Sequence, residues 1–479
     1  MSARARSSVA DSVRTDSLGS DASSTVARPP VPVIIRSVVL SGNLRTRDQI
    51  IQREMAVRVG DTIRTADLPG KLAWDQRKIS NTNLFVTVTV TVRLGEADTS
   101  RATFLDLAGL APFTPVDVIV TMKERWYVFP LLVFELADRN FNEWWYDRNH
   151  DLSRTVYGAR LDYKNITGRN DKLTAVFQLG FTRKLQFAYS RPYIDKAQRT
   201  GLRFDISETT NREVAYQSRL DKWVYGKGDG EVRGRFTTGL NVTRRDGFYK
   251  FHGFELRYNR NRIADSIALL NPDYFLRGRT RQHYFQFSYG FTYDRRDNVA
   301  YPLQGTLFNA AIVQNGLLPG DDLHVTELTA GLTRFWPLGG KFYANNSLRG
   351  RAALPTRIPY YNLRGLGYGQ DLIRGYELYV VDGQRYALFK NSVKYQLFNT
   401  VKQLRWIPVR QFNTLPVAAY LTAFADAGYV SSTVSEQYGS LLANRWLAGG
   451  GVSLDLALSY NLVMRFSASV NREGERGLF

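Results

Sequence analysis

From about residue 126 onward the chain alternates between large apolar and polar residues, and it does so over long windows. Leu173, Ala175, Phe177, Leu179 and Phe181 interleave with Thr174, Gln178, Gly180 and Thr182. His283, Phe285, Phe287, Tyr289, Phe291 and Tyr293 interleave with Gln286, Ser288, Gly290, Thr292 and Asp294. Leu462, Met464, Phe466, Ala468 and Val470 interleave with Arg465, Ser467, Ser469 and Asn471. A period of two sends each set to one face of a strand. The windows match the roughly 9–11 residues that a tilted strand needs to cross a bilayer. A soluble sandwich also alternates, but it buries its apolar face in a core between two sheets. Here the apolar face is large and aromatic and the opposite face is polar, which suits lipid outside and a wet lumen inside. An open sheet edge in lipid leaves backbone groups unsatisfied, so such strands must close on themselves. The fold class expected is a transmembrane antiparallel β-barrel. About 350 residues at about 22 per strand and connection give roughly 16 strands.

Composition agrees. No run approaches the roughly 18 apolar residues of a spanning helix. Tyr and Phe number 27 each and aromatics make up 13% of the chain, as aromatic girdles at the two membrane interfaces require. The absence of cysteine excludes disulfides and thiolate metal sites, and four histidines leave little for imidazole sites. No metal or cofactor is expected. The formal charge of +20 suggests nucleic acid at first sight. The Arg and Lys are instead spread along the strands, where lumen carboxylates and anionic headgroups account for them, and no nucleic-acid partner is expected.

Residues 1–31 are polar and rich in Ser, Arg, Ala and Asp. They cannot form a core and are expected to be disordered. They also lack the apolar centre of a secretory signal. Residues 32–125 read as a small α+β unit, and 126–479 as the barrel. In the small unit, 33–40 is an apolar strand followed by the turn Ser41-Gly42-Asn43. Thr46 is placed to cap a helix running to Met55, and Thr65 or Asp67 to start a second with Leu68, Leu72 and Ile79 at helical spacing. Segments 84–92 and 116–122 read as strands. The connection 94–115, with Phe104, Leu105 and Leu107, is long enough to be a solvated insertion or a docking loop.

Within the barrel, Ile373-Arg374-Gly375-Tyr376 sits between strand patterns, and Phe424, Asp426 and Gly428 share one face by period two. An arginine enclosed in a lumen needs a carboxylate, because an unpaired buried charge costs several kcal/mol. Arg374 and Asp426 supply the pair. Gly375 lets the loop backbone come close, and Gly428 leaves room for it.

These features together resemble the BamA/TamA-type superfamily of outer-membrane insertases and translocators, the bacterial surface antigens. That family joins periplasmic POTRA modules to a 16-stranded C-terminal barrel. Gly42-Asn43, Arg53-Glu54 and Asn81-Thr82-Asn83-Leu84-Phe85 are similar to a POTRA module. Tyr293-Asp294-Arg295-Arg296-Asp297-Asn298, followed by Tyr301-Pro302 and Gly305, resembles the family's strand-turn signature. A purely structural reading is also open, since Asp297-Asn298 and Pro302 would end any strand. Ile373-Arg374-Gly375-Tyr376 is similar to the loop motif written (V/I)RG(F/Y), and Phe424, Asp426 and Gly428 to the strand motif whose carboxylate receives the loop arginine. Phe479 resembles the terminal aromatic of outer-membrane barrels, although the strand before it is short.

The resemblance implies a non-enzymatic machine in the outer membrane of a Gram-negative-type bacterium, with its POTRA module in the periplasm. It would insert β-barrel proteins by strand templating at a lateral seam. Its partners would be unfolded outer-membrane β-barrel clients and outer-membrane lipids, with room for accessory lipoproteins. One POTRA module is fewer than the central assembly factor carries, which leaves an accessory role with few clients open. Other readings are a polypeptide translocator of the two-partner secretion type and a passive porin. An enzyme finds almost no support, since the chain has no Gly-x-Ser-x-Gly elbow, phosphate-binding Gly-x4-Gly-Lys loop or HExxH.

Overall fold

The computed structural model describes residues 32–94, 114–137, 141, 143–228, 230–403, 413–458 and 461–479. The segment 1–31 and most of the 94–115 connection, including Phe104, Leu105 and Leu107, lie outside the described residues.

The first unit contains β1 (Val33–Ser41), α1 (Asp48–Gln52), β2 (Thr62–Ile63), α2 (Leu68–Asn81), β3 (Phe85–Leu94) and β4 (Thr114–Glu124). Its sheet order is β2-β1-β4-β3. β1 and β4 run parallel, and β3 lies antiparallel to β4 as an edge. The apolar positions at helical spacing in α2 and the alternate positions of the strands meet in one core. Ile79, Val118 and Val120 have no exposed surface, and each contributes on the order of 1.5–3 kcal/mol. Asp75 is buried on the same face of α2 as Leu72 and Ile79. Its carboxylate accepts from the Ala56 and Val57 amides at 2.7 and 3.2 Å. Burial outweighs these bonds and pushes the carboxyl up to about 6.

Two local expectations change. The pair β2 was not foreseen. Thr46 does not cap α1, which begins at Asp48 after Arg47 and ends at Gln52. Its buried hydroxyl donates to Glu124 Oε1 at 2.6 Å and accepts from Asn165 at 2.9 Å. A carboxylate on the neighbouring strand outcompetes the helix end for the hydroxyl.

The second unit is a 16-stranded antiparallel sheet curved into a barrel. Its strands are β5 (Val128–Leu136), β6 (Thr155–Lys164), β7 (Lys172–Gly180), β8 (Thr182–Arg191), β9 (Thr200–Asn211), β12 (Arg233–Asp246), β13 (Lys250–Ile263), β14 (Arg281–Asp294), β15 (Gly305–Asn315), β16 (Val325–Gly339), β17 (Phe342–Leu354), β18 (Arg385–Gln403), β19 (Thr414–Ser431), β20 (Trp446–Ala457), β21 (Val463–Asn471) and β22 (Arg476–Leu478). The hairpin of β10 (Glu213–Arg219) and β11 (Lys222–Lys227) lies outside this sheet. Large apolar side chains such as Phe177, Leu185, Leu332 and Phe466 stay exposed on the outer face, whereas Asp162, Asp205, Asn259, Asp426 and Asp455 are buried in the lumen. No described helix is long and apolar enough to cross a membrane.

Among the described residues the sheet begins at β5 and ends at β22, and no ladder joins the two ends. β22 pairs only with Ala468, Ser469 and Val470 of β21. Pro130, which has no amide hydrogen, lies in β5, as is typical of an edge strand.

The small unit is seated on one end of the barrel. The Glu54 carboxylate accepts from both terminal guanidinium nitrogens of Arg245, one at 2.7 Å. Trp74 donates to the Tyr249 hydroxyl at 2.6 Å and packs edge-on against Phe248 at 4.5 Å. Arg53 stacks 3.7 Å from the Tyr193 ring. Asn81 donates to Asp297 O, and Asn461 to Asn83 Oδ1. The contacts therefore reach turns spread around much of that rim.

Candidate functional site

The connection 355–384 between β17 and β18 folds into the lumen from the end opposite the small unit. Ile373 is 1% exposed and packs in a cluster with Leu366, Leu388, Val430 and Leu447. This apolar anchor positions the next residue. Arg374 donates from Nε to Asp426 Oδ2 at 2.7 Å and from Nη2 to Asp426 Oδ1 at 2.5 Å. Its backbone amide donates to the same carboxylate at 3.2 Å. Nη2 also reaches Asn391 O and Ser392 Oγ, both at 3.2 Å. The guanidinium carbon lies 3.8 Å from the centre of the Phe424 ring, so the β19 residues two apart grip one cation by charge and by π-face. Lys390 stands 4.0 Å from Asp426 as a second cation.

Glycines make the approach feasible. Gly375 has φ +101°, a conformation that disfavours a side chain. A Cβ on Gly428 would fall 2.7 Å from Ile373 Cδ1. A Cβ on Gly449 of β20 would fall 2.0 Å from the Arg374 carbonyl oxygen. Gly449 was missed in the sequence, although its place in Gly449-Gly450-Gly451 inside a strand signals close backbone approach. Asn471, Glu473 and Glu475 were missed too. Asn471 donates to Gly375 O at 2.9 Å, the Tyr376 hydroxyl donates to Glu473, and the Tyr379 hydroxyl donates to Glu475 at 2.5 Å. The loop is thus fastened both to β19 and to the last hairpin. No sequence signal singles out these surface-type carboxylates.

The strand-turn residues lie at the other end of the lumen. Asp294 and Arg296 form a bidentate pair at 2.9 and 2.7 Å. Asp297 Oδ1 accepts from the amides of Asn298, Leu303 and Gln304, and Asn298 Oδ1 from those of Ala300 and Tyr301. Gly305, at φ +113°, opens β15. This network, with Pro302 inside it, turns Tyr301 inward. The Tyr301 ring stacks on Tyr420 at 4.7 Å, and its hydroxyl donates to Asp455 Oδ2 at 2.8 Å. Asp455 also binds Arg465 at 2.8 and 3.1 Å. Asp455 and Arg465 were not singled out in the sequence. The structure brings Arg374 together with Asp426, and it separates that pair from the strand-turn residues. Phe479 sits apart from both, exchanging backbone bonds with Ser467 at 2.9 and 2.7 Å.

At the loop's outer end, Asp382 accepts from Ser218 and Tyr368, and Asp221 at the tip of the β10–β11 hairpin accepts from the Leu441 and Leu442 amides at 2.7 and 3.0 Å. Burial pushes the Asp382 carboxyl up to about 6. The hairpin and two connections therefore cover this end.

A family model described as the Omp85 superfamily domain matches residues 165–475, more than half of the sequence. The chain belongs to the Omp85 superfamily. Its fold is similar to that of BamA from Haemophilus ducreyi lacking POTRA domains 1–3, with 16% identity, a TM-score of 0.51, and coverage of 93% of this chain and 83% of that one. CdiB from Acinetobacter baumannii is more distant, with 11% identity, a TM-score of 0.48, and coverage of 93% and 72%. CdiB from Escherichia coli has 12% identity, a TM-score of 0.48, and coverage of 95% and 89%. No curated protein sequence matches this one. The protein is an outer-membrane β-barrel with a POTRA-like module, and the module's end of the barrel is its periplasmic end.

Proposed function

We propose that this Omp85 protein inserts other β-barrels into the outer membrane by templating their strands at a lateral seam, without catalysing a covalent reaction. The observation that carries this reading is that, among the described residues, no ladder joins β5 to β22. In lipid, unladdered backbone groups are costly, and an incoming strand satisfies them through main-chain hydrogen bonds. On the periplasmic side, residues 463–466 of β21 have β20 on one flank and no strand on the other among the described residues. The POTRA-like module presents β3 as a second edge, on which unfolded clients would first add as a strand. The ion pair of Arg374 and Asp426 would lock the lumen loop so that the β19–β21 wall beside the seam keeps its shape. Client folding into the bilayer supplies the driving force.

A lumen occupied from above by residues 373–376 and from below by Tyr301 favours lateral delivery over axial passage of a polypeptide. The test is depletion of the protein in its host, followed by quantification of folded barrels in the outer membrane. Broad loss supports the insertase reading. Loss of one or a few secreted proteins with barrels intact would favour a translocator or an accessory factor.

A further inference from the structure

On the outside of the barrel wall, beneath α2, lies a cavity of about 370 Å³. Trp74, Arg77 and Lys78 of α2 roof it, and Arg295, Arg334 and Trp336 contribute to its walls. Its position in the bilayer follows from strand register. Leu328, Leu332 and Trp336 are exposed at even positions of β16, so Arg334 between them also points outward. Phe342, which begins the next strand, is exposed and packs on Tyr395 at 4.9 Å. These aromatics mark the girdle at the periplasmic interface. The cavity therefore opens at the depth of the inner-leaflet headgroups.

Its charge is unbalanced. Among the described residues Arg77, Arg295 and Arg334 have no carboxylate within ion-pair distance. Arg296 is satisfied by Asp294. Asp297 is among the lining residues, but its Oδ1 is taken by three backbone amides. Lys78 is held 4.2 Å from the Tyr249 ring and donates to Phe248 O at 3.3 Å. Arg334 stacks on Trp336 at 3.9 Å, which holds a guanidinium at the cavity mouth. Several cations, an aromatic rim and a location at headgroup depth match one ligand chemistry, a phosphate group joined to acyl chains. We propose that this cavity binds the phosphate of a phospholipid headgroup of the inner leaflet. The lipid would bridge α2 of the POTRA-like module to β15 and β16 and fix the module's height against the membrane.

The test uses the full-length protein in detergent, titrated with dioleoyl phosphatidylglycerol and read by native mass spectrometry. Heat-modifiable migration confirms that each barrel is folded. R77Q/R334Q is expected to bind the lipid on the order of tenfold more weakly, and R77K/R334K, which keeps both charges, to stay near the wild type. R183Q/R262Q, at the opposite rim, is expected to leave binding unchanged. Equal binding by wild type and R77Q/R334Q overturns the proposal. Displacement of the lipid by millimolar inorganic phosphate assigns the cavity to free phosphate and overturns the headgroup assignment. Loss of a co-purifying acidic protein from R77Q/R334Q, with lipid binding unchanged, overturns it as well.

Discussion

Replacing Arg374 by alanine removes the cation that faces the least exposed carboxylate at the site. The Asp426 side chain has no exposed surface, and that of Arg374 is 12% exposed. Breaking a buried pair by deleting one partner costs roughly 3–5 kcal/mol. Two groups soften the loss, namely Lys390 at 4.0 Å and the residue-374 amide at 3.2 Å, so the lower end, about 3 kcal/mol, is expected. At about 1.4 kcal/mol per decade this makes local opening of the loop on the order of a hundredfold more frequent. Hydrogen exchange reads it directly. The Tyr376 amide donates to Ile373 O at 3.0 Å and the Val381 amide to Leu366 O at 2.8 Å, so both are protected only while the loop is docked. Their exchange should accelerate on the order of a hundredfold in R374A, while amides of β13 and β14 stay protected. The charge-reversed pair R374D/D426R should recover part of the protection. Exchange within about threefold of the wild type in R374A would refute the assignment of Arg374 as the loop's anchor.

Three further outcomes are expected. Gly449→Val should raise loop exchange with both ionic partners intact, because its Cβ would fall 2.0 Å from Arg374 O; overpacking of this kind costs about 1–3 kcal/mol. Tyr301→Phe keeps the stacking on Tyr420 and loses the bond to Asp455, and should lower barrel stability by about 1 kcal/mol, read as the thermal midpoint of heat-modifiable migration. The Asp75 carboxyl, raised by burial to about 6 in the fold, should contribute stability to the POTRA-like module that is fully present below its unfolded value of about 4 and is lost as pH rises through about 6. Chemical denaturation monitored by Trp74 fluorescence should show that slope, and Asp75→Asn should flatten it.

Period-two alternation made the barrel legible because a wall between lipid and water imposes opposite chemistry on its two faces at every residue. The Arg374 and Asp426 pair was legible for a related reason, since a charge enclosed in a lumen demands a partner and few candidates fit. The partners of Tyr376 and Gly375 were not. Asn471 and Glu473 lie about a hundred positions away, at the end of β21 and just beyond it, and only the register of β20 and β21 brings them under the loop. Thr46 misled for a different reason: a capping residue type before a helix looks the same in sequence whether its hydroxyl serves the helix or a carboxylate 78 positions away. The inward turn of Tyr301 was hidden as well, because the Asp297 and Asn298 bonds that aim it also fit an ordinary strand end.

The seam is the centre of this account, and the chain has no native cysteine, so an engineered pair can test it cleanly. One cysteine on β5 and one on β21 would be oxidised in the outer membrane, and the folding of a newly made client barrel would be followed before and after reduction. Insertion through the seam predicts that the disulfide halts client folding and that reduction restores it. Undiminished client folding with the seam covalently shut would contradict the account.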